Sequence, residues 1–149
     1  MTVLRNVRIW DGVSESYSPF DSLRIDGEHI TALNDDGDAH DARDLGGLTV
    51  LPGLIDGHVH LCLDPDIRAP SDQPNGDAVR EAMPARLHQM VSAGITTARD
   101  LGGGEWSDLE MRDRIAAGAL VGPRLVCSGQ PITSPGGHCH FWGGEAEDA

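Results

Sequence analysis

Between Pro52 and Ile132 the chain alternates segments of strand character with segments of helix character, and that order constrains the fold more than any other feature. "GLIDGHVHL" (53–61) is a compact apolar run of the kind buried in a parallel sheet. Residues 77–93 carry Val79, Met83, Leu87, Met90 and Val91 at helical spacing, and Gly94 suits the position just past a helix end. Pro84 predicts a kink there, or a later start. "ITTARDL" (95–101) is β-branched and strand-like. A second helix is expected from Ser107 to Ala117, opened by a capping box "SDLE" with Ser107 as N-cap and Glu110 at N3, and closed by Gly118. "PRLVCSGQPI" (123–132) reads as a third strand. The strand ends lie about 40 and 30 residues apart, room enough for a helical crossover each time, so the strands should be parallel.

The N-terminal third follows a different pattern. "TVLRNVRIW" alternates apolar and polar positions with a slip near Asn6, and "SLRIDG" and "HITALND" repeat the alternation around a turn at Gly27. "DDGDAHDARDLGG" reads as a surface loop or a weak edge strand. The expected division is a small antiparallel β-sandwich subdomain over 1–51 and an α/β part over 52–149. A proline-rich loop, "DPDIRAPSDQPNG", joins the first strand of the α/β part to its first helix.

Composition narrows the function. A formal net charge of −13 argues against nucleic-acid binding, which needs a basic surface. Cys62, Cys127 and Cys139 form no CxxC pair, which points to a reducing compartment. The start "MTVLRNVRIWDG" lacks the apolar core of a signal peptide, and no run is long enough to span a membrane. The expectation is a cytoplasmic protein.

The chemistry concentrates in "DGHVH". Residues i and i+2 of a strand face the same side, so His58 and His60 project together at the end of the strand. Paired imidazoles suit zinc, iron, nickel or copper. Asp56 shares their face if the strand stays regular, and could then orient a ligand. Two histidines at a strand end with no metal role are the plain alternative, and HxH alone does not decide between them.

The surroundings of the pair do more. "VLPGLIDGHVHL", "SAGITTARDLGG" and "GPRLVCSGQPITSPGGHCHFWGGEAEDA" follow one another in an order that resembles the amidohydrolase superfamily, and the last segment is similar to its imidazolonepropionase-like branch, which includes Xaa-Pro dipeptidase. The resemblance covers essentially the whole chain. It implies the first three βα units of a (β/α)8 TIM-type barrel, incomplete here, behind the small β subdomain. It implies hydrolysis of carbon–nitrogen bonds in a small amide or dipeptide, with one or two divalent ions, usually zinc. His58 and His60 would bind the more buried metal. The remaining ligands of that branch would be a carboxylated lysine after the fourth barrel strand, later histidines and an aspartate.

Those later groups are not expected in this sequence. After His60, 89 residues follow, whereas a full barrel takes about 250. Every one of the eleven basic residues is arginine, so no lysine bridge can come from this chain. No catalytic residue is identifiable here, and the chain reads as an N-terminal portion. His138 and His140 in "GGHCH" form a second same-face pair that the resemblance places at the barrel mouth as substrate contacts, with a four-histidine site as a bolder reading. Arg99 and Asp100 could orient groups at the site or form an ion pair beneath the loop. Cys62 and Cys139 could be soft ligands or small buried hydrophobes. Two other functions compete: an inactive truncated product prone to self-association or needing completion by a further barrel half, and a small HxH metal protein of the cupin type. The latter lacks the expected glutamate after the pair and conflicts with the two helical patterns.

Overall fold

Strand β1 (Thr2–Ile9) organises the first of two units, Met1–Pro52, in the computed structural model, which describes residues 1–34, 42–64, 66 and 76–148. β1 pairs antiparallel with β2 (Ser22–Asp26), and β2 pairs antiparallel with β3 (His29–Leu33) across the Gly27 turn. On the other side of β1 lies β4 (Ala42–Val50), which runs parallel to it and forms an edge. The described residues of this unit therefore form one mixed sheet of order β3-β2-β1-β4, where an antiparallel sandwich was expected. Alternation of side chains sets which residues share a face, but not the direction of the neighbouring strand. Val7, Ile9 and Leu23 are buried at its centre, with Leu4, Ile25, Leu45 and Val50 around them.

The slip near Asn6 is real. The β1–β4 register shifts between Arg5 and Val7, and Asn6 takes φ 56°. Its side-chain amide donates to Asp44 Oδ1 at 2.9 Å, and the same oxygen accepts the Gly46 amide at 2.8 Å. These two bonds, that of Gly46 first, hold the Asp44 carboxyl below its ordinary range. The first part of the acidic stretch (residues 35–41) and most of the proline-rich loop (65 and 67–75) lie outside the described residues.

The second unit, Gly53–Ala149, has the expected order. β5 (Leu54–Val59), α1 (Gly76–Ser92), β6 (Ile95–Asp100), α2 (Ser107–Ala116) and β7 (Arg124–Cys127) follow in turn, and the strands form a parallel sheet of order β5-β6-β7. Among the described residues this amounts to two strand–helix units and a third strand, followed by a loop with one 3-10 turn at His140–Trp142. Met83 and Leu87 of α1 and Met111 of α2 are fully buried in a cluster with Ala98 of β6 and Leu125 of β7. Burying side chains of this size contributes about 1.5–3 kcal/mol each. That packing explains why α1 continues through Pro84: the missing bond to the Arg80 carbonyl costs less than the burial on either side of it. α1 ends at Gly94 (φ 88°), and α2 ends in a Schellman motif, with Gly118 N–H donating to Ile115 O and Ala119 N–H to Arg114 O.

Two expectations need correction. Ser107 is the first residue of α2 and not its cap, because its own angles are helical; the chain enters from the turn at Gly104–Trp106 through Glu105 and Trp106, both at positive φ. Its hydroxyl donates back to Gly104 O at 3.0 Å. β5 is also not buried on both faces. The helices cover only the side bearing Ala98 and Leu125, so Leu54 is 50% exposed, Ile55 74% and Val126 52%. None of the described helices is long and apolar enough to cross a membrane.

Candidate metal centre

β5 delivers both histidines to the end of the parallel sheet. The β5–β6 register shifts between Asp56 and Val59, a bulge that carries Gly57 and His58. Val59 then packs on the helix-side core, which leaves His58 and His60 on the opposite side. Their Nε2 atoms approach to 3.3 Å. Two imidazole nitrogens bound to one tetrahedral zinc at 2.0–2.1 Å stand about 3.3–3.4 Å apart, so the pair is spaced as a bidentate grip on a metal. His58 is exposed and His60 half-buried.

The tautomer of His60 follows from its partner. Nδ1 lies 2.8 Å from the carbonyl oxygen of Gly102. A carbonyl only accepts, so Nδ1 carries a proton, and in the neutral ring Nε2 is the nitrogen left with a lone pair. Gly102 takes φ 113°, and a Cβ there would meet Gly129 O at 2.5 Å, so only glycine presents this carbonyl. Asp100, buried at the end of β6, accepts the Leu61 amide at 3.0 Å and the Gly102 amide at 2.8 Å. Burial raises its carboxyl above the ordinary range although both amides pull it down.

The loops after the three strands are laced to one another. Leu101 N–H donates to Val59 O, Ser128 N–H to Asp100 O, and Gly103 N–H to Gly129 O. Asp108, buried on α2, accepts the Gly129 amide at 2.9 Å. Arg86 of α1 donates to Leu61 O at 2.6 Å and pairs with Asp64 at 3.5 Å, fixing the turn just past His60. The Trp142 ring lies 5.3 Å from that of His60, tilted by 39°, and packs on the core cluster. Gly102, Arg86 and Trp142 had no sequence signal as site residues, because each acts through chain segments far away in sequence.

Asp56 turns its carboxylate to the His58 backbone amide at 3.1 Å, not to a ring. Arg99 donates to Gly57 O at 2.8 Å. His138 and His140 do not sit on a strand: Cys139 between them takes φ 58°, and His140 opens the 3-10 turn with Nδ1 3.0 Å from Gly137 O. The same-face rule therefore fails for them. Among the described residues no three His, Cys, Asp or Glu side chains gather as a metal site, so the four-histidine arrangement is not formed. Cys62 lies in the core, where burial and then the Asp100 charge push its thiol up to about 12; burial also raises Cys139. A thiol held protonated is a poor ligand. His29 lies on β3 and His88 on α1, while His40 is outside the described residues.

The sequence profile described as "Amidohydrolase family" matches residues 49–148. Among solved structures, a Xaa-Pro dipeptidase with bound methionine in its active site is 28% identical, with a TM-score of 0.80 over 98% of this chain and 37% of that one. A prolidase complexed with N-methylphosphonate-L-proline is 31% identical, with a TM-score of 0.75 over 94% of this chain and 34% of that one. Molinate hydrolase, at 23% identity and a TM-score of 0.67 over 88% of this chain and 30% of that one, shares the fold. The chain thus spans between a third and two fifths of the length of the first two and matches part of an amidohydrolase barrel. No curated protein sequence matches it.

Proposed function

The chain belongs to the amidohydrolase family, and from that premise we propose that it contributes the opening strands and one metal-ligand pair of a metal-dependent hydrolase cleaving carbon–nitrogen bonds in small amides or dipeptides. His58 and His60 hold a divalent ion, best zinc, through their Nε2 atoms. The observation that carries this reading is the 3.3 Å approach of those two atoms, with the Nδ1 proton of His60 committed to Gly102. When bound, the metal supplies an acidified water and a polarised carbonyl. Zinc sites use three or four protein ligands, so under this reading the others lie outside the described residues.

The chain's own residues do the orienting. Gly102 fixes the His60 ring, and Asp56 holds the His58 backbone. Trp142 walls the site beside His60, and its loop carries the exposed His138 and His140 as candidate substrate contacts. The dipeptidase and the prolidase–phosphonate complex support a short dipeptide substrate. Three free thiols suit a cytoplasmic setting.

Equilibrium dialysis against zinc, paired with an Xaa-Pro dipeptide hydrolysis assay, tests the proposal. One zinc retained per chain and lost in His58→Ala supports it; no retention overturns it. A second reading, a chain inactive by itself, draws on the exposed Ile55 and Val126. It predicts self-association in light scattering and no turnover without a further chain.

A further inference from the structure

We propose that Asp100 is a positioning residue for the metal grip: by holding the Leu61 and Gly102 amides it sets the tautomer and the direction of His60. This deepens the metal-binding reading of the pair and rests on it.

Burial is asymmetric across the site. His58 and His60 stand at the accessible end of the sheet, whereas Asp100 is 1% exposed behind them. A carboxylate so deeply buried is costly unless its oxygens are paired. Both are: Oδ2 accepts the amide of Leu61, the residue directly after His60, and Oδ1 accepts the amide of Gly102. Gly102 is also the residue whose carbonyl takes the Nδ1 proton of His60. One side chain therefore anchors a residue at each end of the His60 bond: Leu61, next to the residue that carries the ring, and Gly102, whose carbonyl accepts from it.

Geometry leaves little slack in this bracket. Asp100 closes β6, and its own carbonyl accepts Ser128 N–H, so its backbone is tied to the loop after β7. Gly102 cannot move toward Gly129 because that carbonyl is already in contact range of its Cα hydrogens. Loss of the carboxylate would leave two amides without acceptors in a buried place and release the Leu101–Gly102 peptide, so that the Gly102 carbonyl, held then only through Gly103 N–H on Gly129 O, could tilt away from His60 Nδ1. With that acceptor displaced, nothing opposite Nδ1 would confine the proton to that nitrogen. A proton shared with Nε2, the nitrogen that faces His58, would block that nitrogen as a ligand and weaken the grip.

The test is nitrogen-detected histidine NMR on the metal-free 149-residue chain in mildly alkaline buffer, together with zinc affinity. Wild type should show His60 protonated at Nδ1 alone, and Asp100→Asn should lose that signature and bind zinc about 10–100-fold more weakly. Met83→Ala, which opens a cavity in the same core without touching these bonds, should keep the signature. An unchanged His60 signature in Asp100→Asn overturns the inference, as does equal loss in Met83→Ala. Should Asp100→Asn fail to fold, amide exchange in wild type decides: slow Leu61 and Gly102 exchange supports the bracket, and exchange as fast as in exposed loops overturns it. Absence of zinc binding in wild type would refute the proposed function, while the metal-free NMR would still judge Asp100.

Discussion

Arg86→Met removes one guanidinium and keeps most of the aliphatic stem. In the native chain that group donates to Leu61 O at 2.6 Å and stands 3.5 Å from the Asp64 carboxylate. The first contact is a charge-assisted bond to a carbonyl of a residue only 3% exposed. Such bonds contribute about 1.5–3 kcal/mol, and leaving the acceptor unpaired in a buried place is itself penalised on that scale. The second contact is longer and reaches a carboxylate about one-third exposed, so it contributes about 0–1 kcal/mol. The variant should therefore lose about 2–3 kcal/mol. With a urea slope of roughly 1–3 kcal/mol/M, the midpoint should fall by about 1 M. Tryptophan fluorescence suits the assay, because Trp106 and Trp142 both lie in the α/β unit. Salt separates the two parts: the Asp64 contribution should be screened, whereas the Leu61 contribution should persist. A loss below about 0.5 kcal/mol, or one abolished by salt, would refute the claim that Arg86 pins the turn beside His60.

Met83→Ala should cost about 2–5 kcal/mol in urea unfolding, since Met83 is fully buried between helix and sheet. Gly102→Ala should lower the melting temperature and broaden the His60 resonances, because a Cβ at φ 113° meets the Gly129 carbonyl. Burial, aided by the charges of Asp108 and Asp100, pushes the Cys127 thiol up to about 12, and burial with Asp100 does the same for Cys62. Since unfolded thiols ionise near 9 while the folded ones keep their protons, stability should be fully present below that pH and fall as it rises toward 12, seen as a declining urea midpoint. Under native conditions at neutral pH, iodoacetamide should leave Cys62 unmodified, as mass spectrometry would show.

The periodic parts of this fold were legible in the sequence. Met83 and Leu87 announce the buried face of α1, and Gly94 and Gly118 mark helix ends that the backbone confirms with positive φ. The alternation broken at Asn6 anticipated a real irregularity. What escaped depends on contacts between distant segments. "SDLE" has the composition of a capping box, yet Ser107 itself takes helical angles. The parallel pairing of β4 with β1 leaves no trace in hydrophobic alternation. "GLIDGHVHL" reads as doubly buried because apolar content reports the potential for burial, and the described residues cover one face only.

The site divides in the same way. Spacing alone brought His58 and His60 to one side. It misled for His138 and His140, where Cys139 adopts a left-handed turn and the strand rule no longer applies. Asp100 was recognisable as a polar residue closing a strand, but its grip on Leu61 and Gly102 was not, since that needs two loops 39 and 2 residues away in sequence to meet it. Gly102 supplies a carbonyl, a group every residue has; only its φ and its crowded surroundings make it special.

X-ray absorption at the zinc edge on the metal-loaded chain examines the paired-histidine grip most directly. Two imidazole nitrogens per zinc are expected at about 2.0–2.1 Å, one of them lost in His58→Ala and one in His60→Ala. A spectrum dominated by sulfur at about 2.3 Å, or one unchanged by either substitution, would contradict it.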